Sequence, residues 1–213
     1  VLWNPAASAV KAVLVLAHGA GSDLHHSLLA ELAVLLSQQG VTMVRFNFPY
    51  RENGRGFPDP AARLEHCWRD VVAHVRSRVA GEDAVPLFIG GKSMGGRMAS
   101  HLVAAGEPVD GLVCLGYPLH PPRRIDNPRS QHLVQLGCPS LFIQGTRDPH
   151  CDLNRLALVL APLGLLATVH IVEGADHDFR VLKRCGRSAA QVMAEIAGAV
   201  AAWLEAVVVA ARH

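Results

Sequence analysis

The sequence predicts an α/β domain built on a mostly parallel sheet with helices on both faces. Three observations carry this reading. Short apolar, β-branched runs alternate with longer stretches of helical period along the chain. The runs are apolar at nearly every position, as strands covered on both faces are. Length and composition agree, since 213 residues, half of them hydrophobic, suffice to bury one substantial core.

Taken in order, the first strand is read at 12–17 and the second at 42–46, with a helix over 27–38 between them. A helix over 60–79 leads to a strand at 87–89, and a helix over 95–104 to a strand at 111–115. Helices over 130–136 and 152–160 precede strands at 140–143 and 167–171, and a last helix spans 188–212. Two helix starts are well marked. Asp59 before Pro60 has the form of a capping residue ahead of proline at the first helical position, and Ser188 can cap the last helix. The one long irregular stretch of the second half is 117–129, rich in Pro and Arg, and loops after strand ends are where such sheets carry function. No repeat or linker-like shift in composition divides the chain, so a single domain over 1–213 is expected.

Bulk chemistry narrows the function classes. The net charge is +2 and no long Lys/Arg block occurs, so composition gives nucleic-acid binding no support. Cys67, Cys114, Cys138, Cys151 and Cys185 are scattered and form no C-x-x-C pair. That argues against a disulfide framework or zinc knuckle and leads to an expected cytoplasmic location. The opening VLWNPAASAVK has neither a charged nor an apolar leader segment, so no signal peptide is expected. The stretch 189–211 is apolar but interrupted by Gln191, Glu195 and Glu205, and reads as a buried helix rather than a membrane span. Its apolar surface is open to two uses, burial against the sheet or a homodimer face.

The chemistry enters at PLFIGGKSMGGRMAS, where Gly91-Lys92-Ser93-Met94-Gly95 joins a predicted strand to a predicted helix. This is G-x-S-x-G. A serine hydroxyl is a weak nucleophile and must project, sharply turned, towards a base; glycines two before and two after let strand and helix close around it. The following helix aims backbone N–H groups at the same spot, favouring negative charge there. The first strand ends in HGAGS, and an H-G-x-G segment at that place supplies a second oxyanion donor. The candidate donors are the amides of Ala20 and Met94, each able to contribute roughly 3–4 kcal/mol to a transition state. His18 is read as a structural residue of that loop, and the adjacent His25 and His26 as surface histidines rather than metal ligands.

With a nucleophile turn of this kind the catalytic residues follow in the order Ser, then Asp or Glu, then His. His177, in VHIVEGADHDF, is the histidine after Ser93 that lies in a loop beyond the last strand. Asp148, in LFIQGTRDPHC, follows the fifth strand and is the candidate acid, with Asp152 (a helix cap by position) and Asp126 as rivals. Asp176 and Asp178 flank His177 too closely to fold back onto its ring. None of the cysteines stands at the turn, and all five are read as small buried or incidental residues.

HGAGS, FNFPYRENGRGFPDP, GGKSMGGRMAS, QGTRD and GADHDF together resemble the small α/β-hydrolase-like family related to dienelactone hydrolases. That family includes a testis-expressed protein and a subunit of a chromatin acetyltransferase complex. The resemblance spans nearly the whole chain and implies that Ser93, Asp148 and His177 hold the triad positions. It also implies a minimal α/β-hydrolase fold, six strands in the order 2-1-3-4-5-6, without the two leading antiparallel strands and without a cap domain. Dienelactone hydrolases proper use cysteine where this chain has Ser93, so their substrate is not carried over.

The expected activity is therefore hydrolysis of a carboxylic ester or thioester through an acyl-enzyme, with a small-molecule substrate and no cofactor or metal. An amide hydrolase would use the same residues. An interaction module on a hydrolase-like scaffold is the alternative from another class, favoured by the chromatin-complex relative and opposed by three intact triad residues. Arg45, Arg51, Arg55, Lys92, Arg97, Arg123 and Arg124 fall near the expected active edge. Lys92, Arg123 and Arg124 are taken as candidates for holding an anionic part of the substrate, against solvated surface charge. Phe46, Phe48 and Tyr50 alternate after the second strand, with Tyr50 the candidate for a substrate pocket and core packing the competing role.

Overall fold

A computed structural model of the chain describes residues 1–80, 85–122, 124, 126 and 128–211. Its centre is a seven-stranded sheet of β1 (Leu2–Asn4), β2 (Ala12–Ala17), β3 (Val41–Phe46), β4 (Leu87–Lys92), β5 (Gly111–Leu115), β6 (Ser140–Gly145) and β7 (Ala167–Val172). The spatial order is β1-β3-β2-β4-β5-β6-β7, parallel throughout except for β1. Without β1 this is the expected order of six strands. The seventh strand corrects that count. LWN is too short to show a strand period, and it is held at the edge by the buried Arg45, whose Nε and Nη2 donate to Asn4 Oδ1 at 3.3 and 3.1 Å.

Side chains alternate across β2, and both faces are apolar. Val13, Val15 and Ala17 join the core beneath α3 (Ala61–Val79), α4 (Met94–Ala104) and α5 (Leu153–Leu160). Ala12, Leu14 and Leu16 join the core beneath α1 (Ser27–Ser37) and α6 (Ala189–Ala210). Each helix presents one apolar stripe to its layer, as α3 does with Leu64, Trp68, Val72 and Val75. A single short turn of helix, α2 (Pro49–Glu52), follows β3. Among the described residues no insertion forms a cap over the carboxyl ends of the strands.

α6 spans 22 residues with a mean hydropathy of 1.9 in its most apolar window, long and apolar enough by length and composition to cross a membrane. Here Val192, Met193, Ile196, Ala197, Val200, Leu204 and Val208 pack it against the sheet and α1. Ser188 starts it with a capping box, its hydroxyl accepting from the Gln191 amide while the Gln191 side chain accepts from the Ser188 amide.

Two local expectations fail, each for a tertiary reason. Asp59 does not cap α3: its carboxylate is drawn off by Arg55 at 2.7 Å and Arg63 at 3.7 Å, and Pro60 stands at the cap position. The helix expected over 130–136 shrinks to one 3-10 turn, Leu133–Gln135. It buries only Leu133, and Pro139 begins the approach to β6 four residues after the turn, too little chain to repay helix nucleation.

Candidate active site

The loop between β4 and α4 turns on Ser93, whose φ is +51° and ψ −116°. A non-glycine residue held there stores backbone strain, and it does so at the candidate nucleophile. The flanking glycines are required by contact. A Cβ on Gly91 would lie 2.4 Å from Ala17 O, and one on Gly95 would lie 2.4 Å from the same oxygen and 2.7 Å from His18 O. Only bare backbone lets the end of β2, the turn and the first turn of α4 pack together.

The three expected residues converge from three strand ends. The Ser93 hydroxyl donates to His177 Nε2 at 2.9 Å, and His177 Nδ1–H donates to Asp148 Oδ2 at 2.7 Å. Asp148 is buried and fully engaged: Oδ2 also accepts from Gln144 Nε2 at 2.6 Å, and Oδ1 accepts from the His150 amide at 2.8 Å. Burial alone would push its carboxyl up. The hydrogen bond and charge of His177, the His150 amide and the Lys92 charge outweigh burial and hold it below the usual carboxylate range. Asp152 is the cap of α5, accepting from the Arg155 amide, and Asp126 is far out in solvent, so neither rival reaches His177.

The loop of His177 is shaped by its neighbours. Asp176 Oδ1 accepts from the amides of Asp178 and Arg180 at 2.9 Å, folding the turn that presents His177 to Ser93. Behind it lies Lys92, nearly fully buried, with Nζ 3.6 Å from Asp178 Oδ1. Burial lowers its pKa, and the charges of Asp178 and Asp148 act in the opposite direction.

The candidate oxyanion loop leaves β2 at His18. Its Nδ1–H donates to Gly19 O at 2.8 Å and its Nε2 accepts from the Phe48 amide at 3.2 Å, which fixes the ring in a structural role, and burial lowers its pKa. The Ala20 and Met94 amides have no acceptor among the described residues, and Ala20, Ser93 and Met94 line one pocket of about 300 Å³. Two larger grooves, of about 470 and 490 Å³, flank α6 and contain no serine at all.

The substrate candidates fare differently. Tyr50 is fully buried against His18 and Phe48 and does not line the Ser93 pocket, because α2 turns its ring into the core. Lys92 points beneath the site rather than into the pocket, since alternation along β4 places it opposite Ser93's approach. Arg124 is exposed and away from the pocket, and Arg123 lies outside the described residues. Arg45 donates Nη1 to Leu24 O at 2.7 Å, while Arg51 pairs with Asp23 at 3.6 Å. The charged and polar side chains that do line the pocket with Ser93 are those of Arg97, Arg129, His150 and Asp59. Gln144 was equally hidden in the sequence; it clamps Asp148 and accepts the Tyr117 amide at 2.9 Å. Its signal is a polar residue inside an apolar strand end.

Burial pushes the Cys67 and Cys138 thiols up to about 11 and raises those of Cys114 and Cys151 as well, so these four are not primed as thiolates. Among the described residues no group of three or more His, Cys, Asp or Glu side chains could hold a metal ion.

Comparison with known proteins agrees with this architecture. A structure from Coxiella burnetii, described as an alpha-beta serine hydrolase homologue, is 17% identical with a TM-score of 0.71, covering 94% of this chain and 88% of that one. A protein of Xanthomonas campestris described as an a/b serine hydrolase without lid is 22% identical with a TM-score of 0.67, covering 94% and 85%. The dienelactone hydrolase of Anabaena variabilis is 20% identical with a TM-score of 0.68, covering 94% and 88%. At these identities the likeness is one of fold. The sequence itself matches the family described as alpha/beta hydrolase domain over residues 10–205, and the chain belongs to that family.

Proposed function

We propose that the protein is a serine hydrolase that cleaves a carboxylic ester or thioester. The observation that carries this reading is the unbroken hydrogen-bonded line from Ser93 through His177 to the buried Asp148, opening on a pocket. Ser93 Oγ attacks the carbonyl carbon as His177 Nε2 takes its proton, and Asp148 stabilises the imidazolium without accepting the proton. The tetrahedral oxygen is held by the Ala20 and Met94 amides, which act where charge develops. Collapse expels the alcohol or thiol with the proton from His177, and water repeats the sequence on the acyl-enzyme. This chemistry needs no metal or organic cofactor. The five free thiols support a reducing, cytoplasmic setting. The motifs support a finer kinship with the branch that includes a testis-expressed protein and a chromatin acetyltransferase-complex subunit.

The test is turnover of p-nitrophenyl butyrate and butyryl-CoA by wild type, Ser93→Ala, His177→Ala and Asp148→Asn. The proposal expects hydrolysis of at least one substrate, with kcat falling roughly 10⁶-fold in Ser93→Ala and His177→Ala and roughly 10⁴-fold in Asp148→Asn. No turnover by wild type, or turnover indifferent to Ser93, would favour the interaction-module reading.

A further inference from the structure

We propose that the Ser93 pocket selects an ester that carries a second, anionic group, a carboxylate, and that Arg97 and Arg129 hold it. This deepens the hydrolase reading and rests on it. Arg97 stands four residues after Ser93 on α4, and its amide donates to Ser93 O at 3.0 Å. Residues so spaced share a helix face, so Arg97 and the nucleophile open on the same pocket. Arg129 reaches that pocket from the long loop after β5.

Neither guanidinium is committed. Among the described residues neither enters an ion pair or a side-chain hydrogen bond, and the Nε of Arg97 is buried without a partner. A half-buried cation left unpaired is costly, and the half-buried Arg97 also faces the charge of the exposed Arg129. Burial lowers the pKa of Arg97 and the charge of Arg129 acts in the same sense.

The nearby acids are occupied. Glu65 accepts from His101 Nδ1 at 2.8 Å. Asp59, the carboxylate that lines the pocket, is held by Arg55 at 2.7 Å and Arg63 at 3.7 Å. Its Oδ1 accepts from Arg55, while the buried Oδ2, with Arg63 beyond hydrogen-bond reach, has no hydrogen-bond partner; neither oxygen is paired with Arg97 or Arg129, whose field is left for a ligand. The buried Nδ1 of His150, also without a partner, lines the same pocket and is a further polar contact for it. A carboxylate fits this arrangement because a planar guanidinium fork binds two oxygens at once. Of the described arginines that the sequence places near the active edge, Arg45, Arg51 and Arg55 are paired with other groups, Arg124 does not line the pocket, and Arg97 faces the nucleophile.

The carboxylate can belong to the acyl part or to the leaving group, and two arms of one experiment separate these. The first compares p-nitrophenyl hemiglutarate with p-nitrophenyl butyrate; the second compares 4-acetoxybenzoate with phenyl acetate. In wild type at low salt, kcat/KM for the anionic ester is expected to exceed that for its neutral partner at least tenfold in one arm. The excess should shrink as salt is raised. Arg97→Gln and Arg129→Gln should each reduce the anionic-to-neutral ratio at least fivefold, mainly through KM, and Arg69→Gln on the exposed side of α3 should not. Because Arg129 is exposed, its variant keeps the test open if Arg97→Gln fails to fold. Ratios near one in both arms, or ratios indifferent to both substitutions, overturn the inference while cleavage of the neutral esters upholds the hydrolase reading. Failure of a fluorophosphonate to label Ser93 overturns the hydrolase reading and this inference with it.

Discussion

Replacing Gly95 by alanine sets two effects of opposite sign against each other. Alanine favours a helix over glycine by at most about 1 kcal/mol. The added methyl, however, would stand 2.4 Å from Ala17 O, 2.7 Å from Ala17 C and 2.7 Å from His18 O. All three are backbone atoms at the end of β2 and the start of the loop that follows it, so no side chain can swing aside. Relief requires α4 to move off the sheet by roughly 1 Å, and overpacking of this kind costs about 1–3 kcal/mol or more. The clash wins, and the net expectation is a loss of about 1–2 kcal/mol. The movement also parts the Met94 amide from Ala20, and a displacement of that size can lower activity on the order of 10²-fold.

Urea unfolding followed by tryptophan fluorescence reads the first effect, and hydrolysis of p-nitrophenyl butyrate reads the second. Gly198→Ala is the matched control. It lies in α6, where a Cβ meets no atom within 4 Å, so it should raise stability by about 0.5–1 kcal/mol. If Gly95→Ala unfolds at the same urea concentration as wild type and keeps its activity, the packing argument for the nucleophile turn is refuted.

Stability should fall in acid partly through His132. Burial, with His101 and Arg97 acting in the same sense, lowers its pKa from 6.5 to about 4, so the folded protein holds it neutral while the unfolded chain takes up a proton. Its contribution is complete above pH 6.5 and is lost as pH falls towards 4; His132→Gln should flatten that part of the urea-midpoint profile, and parallel profiles would contradict this. Gln144→Leu removes one of the two donors to Asp148 Oδ2 and the acceptor of the buried Tyr117 amide, leaving Oδ2 with His177 alone and the amide without a partner. A loss of about 1–3 kcal/mol is expected by thermal unfolding, with kcat reduced more than KM; unchanged kcat would show that Asp148 does not need the clamp.

Five of the six parallel strands, β2 to β6, were legible because burial on both faces demands unbroken apolar runs, and the chain supplies AVLVLA, TMVRF and their like at turn-bounded intervals; β7, at the sheet edge and largely exposed, departs from the expected burial on both faces. β1 was not, because three half-buried residues have no period and owe their place to Arg45. Asp59-Pro60 misled for the same reason in reverse. Local cap chemistry was present, and a tertiary pairing with Arg55 and Arg63 overrode it. The convergence of Ser93, Asp148 and His177 could be foreseen in one dimension because each sits at a strand end, in the chain order expected after such a turn. The pocket wall could not. Whether Arg97, Arg124 or Lys92 faces a substrate depends on which neighbours engage or bury it, and those neighbours come from other elements.

The central claim is that Ser93 is a nucleophile activated by His177. Its most direct test is intact-mass and peptide mapping of the protein after exposure to a fluorophosphonate. The account predicts a single adduct on Ser93, formed within minutes by wild type and absent from Ser93→Ala and His177→Ala. A wild-type protein that stays unmodified, or an adduct that forms equally well without His177, would contradict it.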